Sequence, residues 1–375
     1  MKPPTHPTPS GDRRMARLLM QALRAGGHKV ELASRLRGRD GTGDPELQRR
    51  LRARGERLAR GLVERYRARP PGKRPQVWFT YHLYYKAPDW LGPAVTRSLG
   101  IPYLVAEASI APKRAGGPWQ LGHEASRAAV AGAAAVLCFN AVDAQCLRPL
   151  LADPGRLVRL KPFLDAAPFA DGARTRARQR AALADRYALE QDQPWLIAVA
   201  MMRPGDKLAS FRLLGRALAR LADRPWRLLV AGDGPARSAV EAALAPLGRR
   251  VRFLGLQPTA ALPALYGAAD LCVWPAVREA YGMALLEAQA AGLPVVAGEG
   301  LGVDAVVHHG IGGLVTPGGD EGAFAAAVAQ LLAAPERRQA MGRAAGHQVM
   351  AEHGIEAAAR RLDAVLSRIV VDRAA

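Results

Sequence analysis

Short apolar runs of strand character alternate with longer helical patterns along almost all 375 residues, and that alternation leaves the chain few folds. It argues for parallel sheets covered by helices. In the first half the strand candidates are "KVELAS" (29–34), "QVWFTY" (76–81), "PYLVAE" (102–107) and "AAVLCF" (134–139), with helices expected over 45–69 and 118–132. The pattern breaks at "LKPFLDAAPFADGARTRAR" (160–178), Pro-interrupted and then Arg-rich, a candidate linker. It resumes through "WLIAVA" (195–200), "WRLLVAG" (226–232), "VRFLGL" (251–256), "DLCVWP" (270–275) and "LPVVAG" (293–298). The chain is also long for one core. Two doubly wound α/β domains facing a cleft are therefore expected, over 1–166 and 167–353, followed by a helix over 354–375. Ligands in such folds sit at the carboxyl ends of the strands.

Composition excludes several classes. No run of 18 apolar residues occurs, so no transmembrane helix is expected, and the Pro-rich start "MKPPTHPTPSGDRR" lacks the apolar region of a signal peptide. The cysteines at 138, 146 and 272 have no C-x-x-C spacing, which fits a reducing cytosol. Formal net charge is +20, and residues 1–100 hold 22 Lys and Arg against 8 Asp and Glu. Such an excess suits anionic lipid, a phosphorylated substrate or nucleic acid, and equally the Arg- and Ala-rich usage of a GC-rich gene. No zinc spacing and no aromatic ribonucleoprotein motif support nucleic acid.

The chemistry-bearing residues lie at strand ends. After 195–200 come Arg203 and Lys207, where a helix begins. Two cations beside a helix N-terminus suit a diphosphate. "LLVAGDGPARSAV" (228–240) places G-x-G between strand and helix, yet the third glycine position is Arg237 and no acidic residue ends the next strand. A Rossmann dehydrogenase is disfavoured, and no P-loop motif occurs. In "VREAYGMALLEAQAAGLPVVAG" (277–298), Glu279 sits in a loop and Glu287 inside an apolar helix. Burying an unpaired carboxylate costs several kcal/mol, so Glu287 needs partners. The amides of Gly282, Met283 and Ala284 can bind an anion, and Glu287 can accept from vicinal hydroxyls. Equally, Glu279 can cap the helix and Glu287 can pair with a buried arginine.

Taken in order, Arg203 and Lys207, "GDGP", "VRFLG", the Glu-x7-Glu pair, "GLPVVA" and "GGLVTPGGD" resemble the C-terminal domain of the family 4 retaining glycosyltransferases, which have the GT-B fold of two Rossmann-like domains. The likeness covers about residues 190–350. The first half resembles it more loosely, through "PSGD", "RAGGHKVEL", "LGIPYLVAEAS" and Phe139-Asn140. The resemblance implies transfer of a sugar from a nucleotide-diphosphate sugar to an acceptor hydroxyl, in bacterial glycan or glycolipid biosynthesis, with no cofactor. Arg203 and Lys207 would neutralise the diphosphate, Glu279 would lie against the donor sugar, and Glu287 would hold the ribose. The backbone near Leu256 would contact the base, and Ser10-Gly11-Asp12 would approach the diphosphate. No D-x-D is present, so no metal is required in that role. Glycoside hydrolysis is disfavoured, since it needs two carboxylates at the scissile bond and Glu287 is assigned to the ribose.

Where many members carry a His after the strand matching "PYLVAE", this chain has Glu107 and Ala108. His82, Glu107 and Asp12 are the acceptor-side candidates. The rival readings are a GT-B sugar-nucleotide epimerase, and a non-catalytic relative that binds membrane or polymer through a vestigial site. A further expectation concerns "PELQRRLRARGERLARGLVERYRAR" (45–69), whose Leu47, Leu51, Leu58, Leu62 and Tyr66 form a helical stripe with arginines around it. Either this is an ordinary domain helix packing its stripe on the sheet, or its outer arginines dock a cytoplasmic enzyme on anionic membrane carrying a lipid-linked acceptor. Lastly, no strand precedes the "PPTHPTPSGD" loop, so a first central strand is expected upstream of Met1, leaving an empty slot beside "KVELAS" and residues 1–12 poorly anchored.

Overall fold

The computed structural model describes residues 3–7, 10–279, 281–300 and 302–371. The chain divides into two compact units, Met1–Lys161 with Ala358–Ala375, and Pro162–Ala357. The sequence divides it at 166/167 and 353/354 instead, a few residues further on and a few residues earlier.

The first unit contains α1 (Gly11–Ala25), α2 (Pro45–Arg67), β1 (Trp78–Tyr84), α3 (Gly92–Leu99), β2 (Tyr103–Ser109), α4 (Gln120–Ala131), β3 (Ala135–Cys138), α5 (Ala141–Leu147) and β4 (Leu157–Arg159). Its strands pair in parallel in the order β1-β2-β3-β4, over a core that includes Leu83, Val105, Val136 and Leu147. Strands β2 and β3 are apolar at nearly every position, as burial on both faces requires.

"KVELAS" is not a strand. It has no regular secondary structure and lies outside the ladder, with Glu31 held by Arg65 and Arg69 of the α2 region at 3.1 and 2.8 Å. Period-two alternation marks an extended segment but does not say whether a sheet or a helix covers it. The expected slot beside this run therefore loses its premise. Pro3, Pro4 and Pro7 are also tied down: Arg17 donates to the Pro4 carbonyl at 2.8 Å and Arg13 to that of Pro7 at 3.4 Å. Residues 1, 2, 8 and 9 of that loop lie outside the described residues, as do Ala280 between the two glutamates and 372–375 at the end of the last helix.

The stripe on α2 holds at Leu62 and Tyr66, which are buried, and at Leu47 and Leu51, which are half-buried, but not at Leu58. The buried positions are Gln48, Gly55, Ala59, Leu62, Val63 and Tyr66, while Leu58 is 40% exposed among the arginines. Small residues at 55 and 59 let the helix lie close to its neighbours there, so the seam passes beside Leu58 and rejoins the leucine stripe at Leu62.

The second unit contains α6 (Ala167–Arg174), α7 (Arg176–Tyr187), β5 (Trp195–Val199), α8 (Asp206–Ala219), β6 (Arg227–Ala231), α9 (Arg237–Leu244), β7 (Val251–Gly255), α10 (Leu262–Ala268), β8 (Leu271–Trp274), α11 (Met283–Ala290), β9 (Val295–Gly298), β10 (Gly313–Thr316), α12 (Glu321–Ala333) and α13 (Pro335–Glu352). Its parallel sheet has the order β10-β9-β8-β5-β6-β7. Strand order reverses between β5 and β8, which makes their carboxyl ends the topological switch point.

The expected linker is folded structure. Phe163, Leu164, Ala166 and Phe169 are buried, and α6 and α7 pack on α10. Arg176 and Arg180 reach Asp270, at the start of β8, at 2.7 and 2.9 Å. Its arginines thus read as surface charge only until their carboxylate is known. The last helix, α14 (Ile355–Val371), joins the first unit from Ala358 onward, where Arg361 and Arg368 donate to the carbonyls of Arg159 and Gly155.

Candidate active site

Strand β5 ends at Val199 and its loop carries Met201 to Gly205 into α8. That loop is fixed by the G-x-G segment: Met202 N–H donates to Asp233 at 2.9 Å, and Ala236 N–H to Met202 at 2.9 Å. A Cβ on Gly232 would lie 1.9 Å from the Ala200 carbonyl oxygen, and one on Gly234 2.3 Å from that of Met202. The two glycines therefore serve backbone-on-backbone contact, and the half fingerprint is a brace for the Arg203 loop. Arg203 is exposed and has no ion-pair partner among the described residues. Lys207 lies in the first turn of α8.

Across the switch point, β8 ends at Trp274 and its loop carries Glu279. Ala276 and Arg278 have φ of 56° and 48°, left-handed for residues with a Cβ. Such strain persists only where surroundings enforce it, and it clusters at functional sites. Here Ser210 of α8, itself buried, accepts from Val277 N–H at 3.0 Å. Lys207 and Glu279 form a close ion pair. The Trp274 indole N–H donates to the same carboxylate at 3.1 Å, and the Lys207 ammonium stands 5.3 Å from the Trp274 ring centre. Loop, strand and helix thus converge on one cation, one carboxylate and one indole.

Glu287 is 3% exposed on α11, with Leu285, Leu286 and Ala288 fully buried around it. The Tyr266 hydroxyl donates to it at 3.3 Å. Burial pushes the neighbouring Cys272 thiol up to about 12, with the Glu287 charge adding to the effect. Gly282, at φ 59°, precedes Met283 and Ala284 at the helix start. Leu256, expected near the base, follows β7 and is 77% exposed.

In the first unit, the three acceptor-side candidates come together. His82 Nδ1 is 3.3 Å from Asp12 and 3.8 Å from Glu107. Both His82 and Glu107 are left-handed, and they stand opposite each other at the carboxyl ends of β1 and β2. Asp12 comes from the first turn of α1, where Ser10 accepts from Arg13 N–H at 3.2 Å and Gly11 leaves the helix start open. Among the described residues no group of His, Cys, Asp and Glu is disposed to hold a metal ion.

Trp274, Ser210 and Tyr266 were not singled out from the sequence. An indole or phenol in a buried run needs a polar partner, and "LCVWP" and "ALYGA" carried that signal. Ser210 carried none.

Residues 193–334 match the family described as Glycosyl transferases group 1. A D-inositol 3-phosphate glycosyltransferase of Salinispora tropica is 34% identical over 52% of this chain and 42% of its own. An alpha-D-kanosaminyltransferase of Streptomyces kanamyceticus is 30% identical over 65% of this chain and 63% of its own. The chain thus spans less than two thirds of the length of these curated relatives. Among solved structures, a glycosyltransferase of Rickettsia africae aligns over 97% of both chains with a TM-score of 0.74 and 15% identity. Anabaena Alr3699/HepE, in complex with UDP-glucose, aligns over 96% of this chain and 97% of its own, with a TM-score of 0.64 and 16% identity. The fold is GT-B in type, two α/β units each built on a parallel sheet, and within the second unit residues 193–334 are similar to the group 1 glycosyltransferases.

Proposed function

We propose, on the similarity of residues 193–334 to the group 1 glycosyltransferases, that this protein is a retaining glycosyltransferase acting on a nucleotide-diphosphate sugar. The observation that carries the reading is the Lys207–Glu279 ion pair at the switch point of the second sheet, with Trp274 bound to the same carboxylate. In the reaction the bond from the anomeric carbon to the β-phosphate oxygen breaks, its electron pair leaving with the diphosphate. A bond from the acceptor oxygen to that carbon forms on the same face, and the acceptor proton passes to the departing diphosphate oxygen. Lys207, Arg203 and the start of α8 are assigned to the charge that grows on the diphosphate. Stabilising charge that develops only in the transition state is what accelerates a reaction. Glu279 is assigned to the positive character at the anomeric carbon, Glu287 to the ribose hydroxyls, and the amides of Gly282, Met283 and Ala284 to the phosphate oxygens. Gly11 is assigned to the diphosphate, the backbone at Leu256 to the base, and Asp12, His82 and Glu107 to the acceptor.

A thermal-shift screen against UDP, GDP, ADP and their sugars tests this reading. A ligand at 100 times its dissociation constant stabilises by about 2.7 kcal/mol. We expect one nucleotide to stand out, and transfer with the anomeric configuration kept once an acceptor is supplied. A flat screen would leave a non-catalytic relative, and turnover without any acceptor would favour an epimerase. The Cys138, Cys146 and Cys272 thiols are free, which supports a cytosolic setting. Among the described residues no helix is long and apolar enough to cross a membrane.

A peripheral membrane contact is part of the same proposal, supported by α2. Arg50, Arg54, Arg57 and Arg60 are exposed, with no ion pair among the described residues, and Leu58 lies among them. Each basic residue near an anionic surface contributes about 1 kcal/mol. Sedimentation with phosphatidylglycerol vesicles should show binding at low salt and release at high salt. No binding at low salt removes the membrane from the proposal.

A further inference from the structure

Beyond the candidate active site, the carboxyl ends of β1 and β2 carry a cluster of aromatic and cationic side chains that the reaction scheme leaves unused. Tyr84 and Tyr85 meet edge to face at 5.5 Å between ring centres, and Tyr85 and Trp119 do so at 5.6 Å. Lys86 stands 4.6 Å from the Trp119 ring centre and 5.8 Å from that of Tyr85. Arg114 takes the other positions, 5.3 Å from Tyr85 and 5.6 Å from Trp119. Arg39 donates to the Tyr84 hydroxyl at 3.4 Å.

No carboxylate among the described residues forms an ion pair with Arg39, Lys86 or Arg114. The nearby Asp40 is spent inside the fold, accepting from Thr42, Gly43 and Gln48. A cation held over a ring is positioned and partly stripped of water while it keeps its charge. Tyr84, Tyr85, Lys86, Arg114 and Trp119 are all partly exposed and Arg39 is exposed, so the cluster is open to solvent. The cluster adjoins the acceptor-side group, since the His82 and Tyr84 rings are 5.2 Å apart.

We propose that this cluster binds an anionic saccharide or polyol, whose apolar ring face stacks on Tyr85 or Trp119 while its phosphate or carboxylate meets Lys86 and Arg114. Charge complementarity selects the anion, and the flat rings select a cyclic carrier. That this ligand is the acceptor rests on the glycosyltransferase reading; the binding itself does not.

Calorimetry on the full chain with glucose, glucuronate and glucose 6-phosphate tests it, with UDP titrated separately. The charged sugars should bind at least about tenfold more tightly than glucose, and salt should weaken them. Comparing glucuronate with glucose 6-phosphate tells carboxylate from phosphate. Lys86→Met and Arg114→Gln, which keep the alkyl packing, should each lower the affinity for the preferred sugar by about tenfold. Their UDP affinity should match the parent's, which also reports an intact fold. Equal binding of glucose and both charged sugars, no binding of any, or unchanged affinity in both variants would overturn the proposal. Failure of the parent to bind UDP or any other nucleotide would count against the glycosyltransferase reading alone.

Discussion

His82 and Glu107 stand opposite each other in the β1–β2 ladder and both adopt left-handed backbone, with φ of 62° and 58°. Two adjacent strands thus break regularity at one level, where the His82 ring lies between the Asp12 and Glu107 carboxylates, at 3.3 and 3.8 Å. A left-handed residue with a Cβ costs about 1 kcal/mol. His82→Gly should therefore raise the urea midpoint by the equivalent of about 1 kcal/mol while lowering transfer to the acceptor. His82→Ala keeps the strain and should lose transfer without the gain. If His82→Gly transfers as well as the parent, the cluster has no role in the reaction.

Lys207 is paired with Glu279, and a bound diphosphate would compete for it. Lys207→Ala should depress kcat more than it raises KM, because the charge it meets grows in the transition state. Activity of the parent should persist in excess EDTA. Strict dependence on added Mn²⁺ would remove the metal-free picture.

Glu287→Ala should weaken nucleoside diphosphate binding by about 1.5–3 kcal/mol, the range for hydrogen bonds to a charged acceptor. Calorimetry reads this directly. Equal affinity in variant and parent would leave Glu287 with a structural role.

Gly232→Ala should destabilise the second unit by more than about 3 kcal/mol, since its Cβ would meet the Ala200 carbonyl at 1.9 Å with backbone on both sides. Thermal unfolding measures the loss. A variant as stable as the parent would mean that the two loops can separate.

His123 is 2% exposed on α4, and neither ring nitrogen has a hydrogen-bond partner among the described residues. Burial first, and then the Arg127 charge, hold it below the usual histidine value of 6.5. The unfolded chain therefore binds this proton at higher pH than the folded one. The stability that the neutral ring contributes is complete above about pH 6.5 and falls as pH drops through the folded value. Urea midpoints taken between pH 7.5 and 5 should decline less for His123→Gln than for the parent.

The sequence by itself determined the alternating α/β architecture and the second sheet, because strands buried on both faces need continuous apolar runs and those runs are visible in one dimension. It also determined which loops carry charge at strand ends, so Arg203, Lys207, Glu279 and Glu287 were legible without coordinates. Only the tertiary structure decided partners. "KVELAS" reads as a strand until α2 supplies Arg65 and Arg69 to Glu31, and residues 160–178 read as a linker until Asp270 and α10 cover them. The pairing of Lys207 with Glu279 spans β5 and β8, neighbours in the sheet yet far apart in the chain, so no local pattern records it. The same holds for His82 and Glu107, whose φ angles are imposed by the packing around them rather than by any preference of histidine or glutamate. Periodicity encodes which side of an element is apolar; what lies against that side depends on which elements the sheet order makes neighbours.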